Sequence, residues 1–323
     1  MKLFEFHAFP VSEVLGTRVL LMALCLLILG FLPSYGSQTP PVKVAIIVSR
    51  HIGPYLEAVE GLESVLSDHS GIESQIFRLE KLDAEEQKQL FGRKGEKEFS
   101  IFIAVGPAAA FTVWKATGKQ EARTLYLMVL NPGKVIGGKR TNCGISLNIP
   151  VQTQVEMIRQ GLPGAKRLGL LYDPEHNADF FRRAEVFASA LELEVIPLRV
   201  SSKKEIPSAL ARHWDNMNAI WLIPDRTVIS ESIVKFVSKE AFLRKIPLIG
   251  YNRFFYETGA ALAFVFNYRS LGEQCAHKVL RILSGENCQS TPPRFEVWIN
   301  KRVVEKLGLK HPDEYLSPIQ IGP

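Results

Sequence analysis

From Val42 onward, short apolar runs alternate with segments whose apolar residues recur every third or fourth position. Val42–Val48 is a nearly unbroken apolar run, the pattern of a strand covered on both faces within a parallel sheet. Tyr55–Leu66 sets Leu56, Val59, Leu62, Val65 and Leu66 at helical spacing. The same reading predicts strands over Ser74–Leu79, Phe99–Val105 and Thr124–Leu130. It predicts a short helix over Asp83–Leu90 with Asp83 as N-cap, and a second over Ala108–Thr117 opened by Pro107. Asn131-Pro132-Gly133 then marks a turn. The rhythm continues with helices over Gln152–Gln160, Asn177–Leu191, Lys203–Arg212, Ser230–Arg244, Leu271–Leu283 and Lys301–Leu307, the last stopped by Gly308. Strands fall between them at Arg167–Tyr172, Glu194–Val200, Ala219–Ile223, Pro247–Tyr251, Gly259–Phe266 and Phe295–Ile299.

Such alternation predicts an α/β fold of parallel sheets with helices on both faces, and the strands suffice for two sheets. Right-handed crossovers bring the C-terminal strand ends to one edge, where ligands bind. The loops leaving those ends begin at Ser49, Gly106, Asn131, Asp173, Pro224 and Tyr251, and they are polar and rich in turn residues.

Ahead of this body lies a hydrophobic run from Val19 to Leu32, preceded by Arg18 and followed by Ser34-Tyr35-Gly36. It is shorter than the ~20 residues a spanning helix needs. Charge, apolar stretch and small-x-small ending form an export signal, so residues 1–36 are expected to be removed and the body to act in the periplasm. Retention as an anchor stays open, because the leading stretch is long and carries Glu5 and Glu13. A lipoprotein reading of Cys25 lacks the small residue it needs, since Leu24 precedes it. The net charge of +6 is scattered, without a basic stripe interleaved with aromatics, which argues against nucleic acid. Cys143, Cys275 and Cys288 remain beyond the signal. A Cys275–Cys288 bridge is conceivable, but spacing carries no geometry and the expectation is no disulfide. None has a CxxC partner, so thiolate metal binding is not expected.

The seven histidines are dispersed, and HExxH, GxSxG, P-loop and GxGxxG motifs are missing, so no catalytic residue is expected. Asp173, Glu175, His176 and Asp179 lie close enough to suggest a metal, but one such polar loop is more often a turn and a helix start. Asp225 follows a strand end and a proline, where a carboxylate either pairs with a cationic ligand group or caps the turn. Asn177 either faces a ligand or N-caps the helix it opens. His51 is a ligand contact or a solvated loop residue. Of Tyr251, Phe254, Phe255 and Tyr256, two are assigned to core packing, and Tyr251, first after its strand, is the stacking candidate.

These residues carry a family likeness. Val44-Ala-Ile-Ile-Val48 with His51 and Gly61, Ala104-Val-Gly-Pro-Ala108, Asn131-Pro132 and Asn142-Cys-Gly144 mark the first half. Leu162-Pro-Gly-Ala-Lys-Arg-Leu-Gly-Leu-Leu-Tyr172 with Pro174 and Asn177, Ile223-Pro-Asp-Arg-Thr227, Lys245-Ile-Pro-Leu-Ile249, Gly259-Ala260, Tyr268 with Gly272, Leu283-Ser-Gly285 and Asn300 mark the second. In order and spacing, the stretch Val42–Leu309 resembles the exported substrate-binding proteins of ABC transporters with the periplasmic-binding type I fold, especially those for aromatic and other amino acids.

The resemblance implies two doubly wound lobes joined by a three-crossover hinge: residues 42–147 plus 267–287, and residues 148–266 plus 288–323. It implies a non-catalytic, monomeric receptor that closes on a small organic ligand and presents it to an ABC permease; a sensory module handing its closed state to a membrane sensor, and less favourably an exported enzyme, are the alternatives. The ligand set it implies is Ser49, His51, Gly106, Pro107, Asn131, Asn177, Asp225, Thr227, Tyr251 and Asn252, with no cofactor and no metal. Relatives usually carry threonine at the position of Gly106 and aspartates at Asn131 and after Ile249. Asp225 is the acid that remains, which argues against an unmodified amino acid as ligand.

Overall fold

The computed structural model describes residues 40–117, 123–137, 143–309 and 317–323. The expected export signal, including Cys25, lies outside the described residues, as do Asn142 and His311. No helix among the described residues is long and apolar enough to cross a membrane.

Two sheets organise the chain. In the first, β1 (Val42–Val48) pairs with β2 (Ile72–Arg78) and with β3 (Ile101–Val105), followed by β4 (Arg123–Val129), β5 (Gly144–Ser146) and β11 (Ser290–Thr291), all parallel. In the second, β6 (Arg167–Tyr172) lies between β7 (Glu194–Arg199) and β8 (Ala219–Leu222), followed by β9 (Leu248–Gly250), β10 (Leu262–Val265), β12 (Glu296–Ile299) and β13 (Ile319–Ile321). The one departure from parallel pairing among them is β12, which runs antiparallel to β10.

The nearly unbroken apolar run of β1 has the two-sided burial its pattern predicts, from Val44 onward. Val44, Ile46 and Val48 pack on one face with α1 (Gly53–Leu66), and Ala45 and Ile47 pack on the other with α2 (Ala84–Phe91) and α4 (Pro107–Ala116). The short α3 (Arg93–Glu98) leads into β3, and α5 (Pro132–Ile136) follows β4. Asp83 completes a reciprocal capping box with Glu86 at the start of α2.

In the second sheet, α6 (Val151–Gly161), α7 (Pro174–Ser189) and α12 (Lys301–Lys306) cover one face. The other is covered by α8 (Ile206–Ala211), α9 (Glu231–Leu243) and α10 (Arg253–Glu257). α11 (Tyr268–Leu283) follows β10 but packs in the first core beside α1. The α1–α11 contact is backbone to backbone: a Cβ on Gly272 would sit 1.9 Å from the Ala58 carbonyl oxygen.

The chain passes between sheets three times: from β5 to α6, from β10 to α11, and from β11 to β12. This is the two-lobe arrangement of the periplasmic-binding type I fold. Two expectations need correction. Ser290–Thr291, expected in the second lobe, pair with Gly144 and Ile145 in the first sheet. No disulfide was expected, yet Cys288 bonds Cys143 across a Cα separation of 5.3 Å, and the Cys275–Cys288 pairing considered from the sequence is not formed. The reason is one and the same: the strand pairing of β11 with β5 brings those two cysteines together. Cys275 is free and buried in the first core, and burial pushes its thiol up to about 12.

Candidate functional site: the cleft between the sheets

The residues that end strands β4, β5, β8 and β9 meet at a cleft of about 550 Å³. The first lobe contributes Met128, Leu130, Asn131 and Lys134. The second contributes Gln154, His176, Asn177, Phe180, Arg183, Pro224, Tyr251 and Asn252. The crossover residues Asn148, Ile149, Phe266 and Tyr268 form its floor. The size lies within the ~300–1,000 Å³ of small-molecule sites.

Of the residues expected from the sequence, Asn131, Asn177, Tyr251 and Asn252 line this cleft, while Ser49, His51, Gly106, Pro107, Asp225 and Thr227 lie outside its lining. Ser49 is buried, and its Oγ accepts from the Ala109 N–H at 2.8 Å, capping the first turn of α4. Gly106 has φ 87°, and a Cβ there would meet the Tyr55 ring and Ser49 Oγ within 2.8 Å, so the turn into Pro107 requires glycine. His51 is an exposed loop residue.

Asp225 takes the capping role. Its Oδ2 accepts from the Asp173 N–H at 2.8 Å and from Asn177 Nδ2 at 2.7 Å. Its Oδ1 accepts from the N–H groups of Thr227 (2.9 Å) and Val228 (3.2 Å). The four acceptor positions of this buried carboxylate are filled from within the chain. Asp173, not Asn177, caps α7, accepting from the Glu175 N–H through Oδ1 and from Thr227 Oγ1 through Oδ2. The Thr227 hydroxyl is the main reason its carboxyl titrates below the ordinary aspartate value. Asn177 sits inside α7 at a non-helical kink (φ −131°, ψ 19°), held there by Asp225. The ligating atoms of Asp173, Glu175 and His176 gather within 4.8 Å of one another, yet both Asp173 oxygens already accept hydrogen bonds, as a helix cap and turn require.

Asn131 adopts φ 49°, a left-handed conformation that asparagine tolerates well. Its N–H donates to Asn148 Oδ1 and its Oδ1 accepts from Asn148 Nδ2, both at 2.8 Å. This reciprocal pair ties the loop after β4 to the crossover after β5. Asn252 N-caps α10, accepting from the Phe255 N–H at 3.3 Å. Phe255 is fully buried and Tyr256 packs edge-on against Trp298, whereas Tyr251 keeps a face on the cleft with its ring 4.6 Å from that of Phe255. Burial, then the charge of Asp225, holds the Tyr251 hydroxyl protonated far above the usual phenol value. Burial first, and the Glu57 charge second, raise Tyr268.

Charged groups sit at the mouth. Lys134 Nζ, from the first lobe, donates across the opening to the His176 carbonyl at 2.8 Å. Exposed Asp179 pairs with Arg182 (3.1 Å) and Arg183 (3.2 Å). Phe180 and Arg183 stand three residues apart on α7, a helical spacing that makes them neighbours. Lys134, Asn148 and Tyr268 carry no comparable signal, because tertiary pairing brings them in.

Solved structures share this architecture. A ligand-free, open substrate-binding protein with adhesive properties from Clostridium difficile is 18% identical, with a TM-score of 0.72 over 87% of this chain and 99% of that one. A domain from Streptococcus pneumonia in complex with L-Trp is 18% identical, with a TM-score of 0.58 over 84% and 96%. A solute-binding protein of an ABC transporter from Burkholderia graminis, in complex with D-arabinose, is 13% identical, with a TM-score of 0.51 over 80% and 95%. A search of curated proteins finds no significant match. At these identities the neighbours speak for the fold. The model of the ABC transporter substrate binding protein family, however, matches residues 42–319, nearly the whole body from the first strand to the last, and the chain belongs to that family.

Proposed function

We propose that this protein is an exported, monomeric solute receptor that closes its two lobes on a small organic molecule and presents the closed form to a membrane ABC permease. The cleft between the strand ends carries this reading: it has the volume of a small-molecule site and is walled by both lobes. The lobes join through three crossovers, so a modest hinge rotation opens and shuts the cleft. The Lys134–His176 bond spans its mouth and fits a shut form. The receptor returns its ligand unaltered. The hydrophobic run Val19–Leu32 supplies the export signal.

Native mass spectrometry of freshly purified protein, followed by release and identification of any bound molecule, tests the reading. A co-purifying small molecule that raises the unfolding temperature supports it; at 100 times its dissociation constant a ligand adds about 2.7 kcal/mol. Chemical change of the ligand on incubation overturns the non-catalytic role. Co-purification with a kinase or chemoreceptor instead of a permease assigns the sensory role.

A further inference from the structure

The polar groups that remain free in the cleft define a ligand class. Five amides line it, and the orientation of each is forced by a partner that can only donate or only accept. Gln154 Nε2 donates to the Ile149 carbonyl, which leaves Gln154 Oε1 as an acceptor, and Asn148 is taken up by Asn131. Asn177 Nδ2 faces a carboxylate oxygen of Asp225, which leaves Asn177 Oδ1 as an acceptor. Asn131 Oδ1 accepts from Asn148 Nδ2, whose own Oδ1 takes the Asn131 N–H, which leaves Asn131 Nδ2 as a donor. Asn252 Oδ1 accepts from the Phe255 N–H, which leaves Asn252 Nδ2 as a donor. The Tyr251 and Tyr268 hydroxyls have no hydrogen-bond partner among the described residues, and burial keeps both protonated.

No carboxylate among the lining residues is free for a cation. Asp179 is at the exposed rim and paired with two arginines. Asp225 lies behind the wall with its acceptor positions filled, and exposed Glu57 lies outside the lining. The rim keeps net positive charge, since Lys134 donates to the neutral His176 carbonyl and Arg183 shares the single Asp179 carboxylate with Arg182, and this charge repels an ammonium group further. An ammonium group entering the cleft would lose its hydration without gaining an anion. The remaining surface is apolar or aromatic, chiefly Phe180, Phe266 and the two tyrosine rings. Two amide donors, two amide acceptors, two phenols and the His176 ring are available, and they stand among aromatic walls that a flat ring covers better than the hydroxylated rim of a sugar. The flat edge of a heterocycle, with two or three alternating donors and acceptors, is satisfied from within that set.

We propose that the cleft binds an uncharged planar heterocycle of the nucleobase kind and disfavours ligands bearing an ammonium group. This rests on the receptor reading above and deepens it. Titration calorimetry on the full mature chain, stripped of bound ligand, compares adenine, guanine, cytosine, uracil and thymine with L-tryptophan, tryptamine and D-arabinose. The expected result is that at least one base binds ten or more times tighter than each of the last three. Asn252→Asp keeps the helix cap, since aspartate accepts the same N–H, but replaces the free donor by an anion. It is expected to weaken base binding at least tenfold and to strengthen tryptamine binding, while the unfolding temperature stays near that of the parent. Tight binding of L-tryptophan, tryptamine or the sugar without a base overturns the ligand class and leaves the receptor reading standing. Indifference of a bound base to Asn252→Asp also overturns the class. Failure of every probe, together with no co-purifying molecule, overturns both.

Discussion

Replacing Asp225 by asparagine separates the two roles a carboxylate at this position can have. In the structure Oδ2 receives the Asp173 N–H and Asn177 Nδ2 at 2.8 and 2.7 Å, while Oδ1 receives two turn N–H groups. An asparagine keeps the turn if its oxygen takes the Oδ1 position, but its NH₂ then confronts two donors. Two charge-assisted bonds are lost, each contributing about 1.5 kcal/mol or more, so destabilisation is about 3 kcal/mol at the least. For a domain of this size that lowers the unfolding temperature by about 6–12 °C. The assay is differential scanning calorimetry of parent and Asp225→Asn, with ligand titration on both at a temperature where both are folded. Asn177, freed from its anchor, should bind ligand less well, but the stability loss comes first and is present without ligand. An unfolding temperature within about 2 °C of the parent, with ligand affinity severely reduced, would refute the capping role and restore Asp225 as a direct ligand contact.

Gly272→Ala should destabilise the first lobe by about 3 kcal/mol, because the new methyl group meets the Ala58 carbonyl oxygen and the α1–α11 contact must open; urea unfolding measures it. Cys288→Ser opens a loop with a sequence separation of 145, and a loss of about 2–5 kcal/mol is expected in thermal unfolding, matched by reduction of the parent. Thr227→Val removes the main support of the Asp173 carboxylate. Because the folded value of Asp173 lies below the unfolded one, its contribution is complete above about pH 5 and is lost as pH falls through the folded value. The variant should therefore be less stable than the parent at neutral pH and converge with it toward pH 2; parallel stability curves from pH 7 to pH 2 would contradict the assignment.

Local pattern carried much of the architecture. Strands β1 and β6 occupy the predicted residues Val42–Val48 and Arg167–Tyr172, since a continuous apolar run bounded by turn residues has few other folded solutions. The capping box at Asp83 was legible because its two partners are three residues apart. The short strands β5, β11 and β13 were not, because two or three residues hold no period and are defined by their distant partners. Asn131 and Tyr251 drew attention as residues after strand ends, Asn177 at a helix start and Asn252 through the family likeness, and each lines the cleft. Lys134 and Asn148 gave no local signal, and Tyr268 stood out only as part of the family likeness.

The alternation of buried runs and amphipathic segments determined by itself that this chain builds helix-covered sheets with polar loops at one edge, because burial of periodic apolar faces is a local constraint with one repeating solution. Which lobe takes the segment after α11, which cysteines meet, and which groups fill the acceptor positions of Asp225 were decided by tertiary structure alone. Each depends on groups far apart in sequence becoming neighbours, and a hydrogen bond or disulfide is fixed by distance and direction in space, which spacing along a chain does not encode.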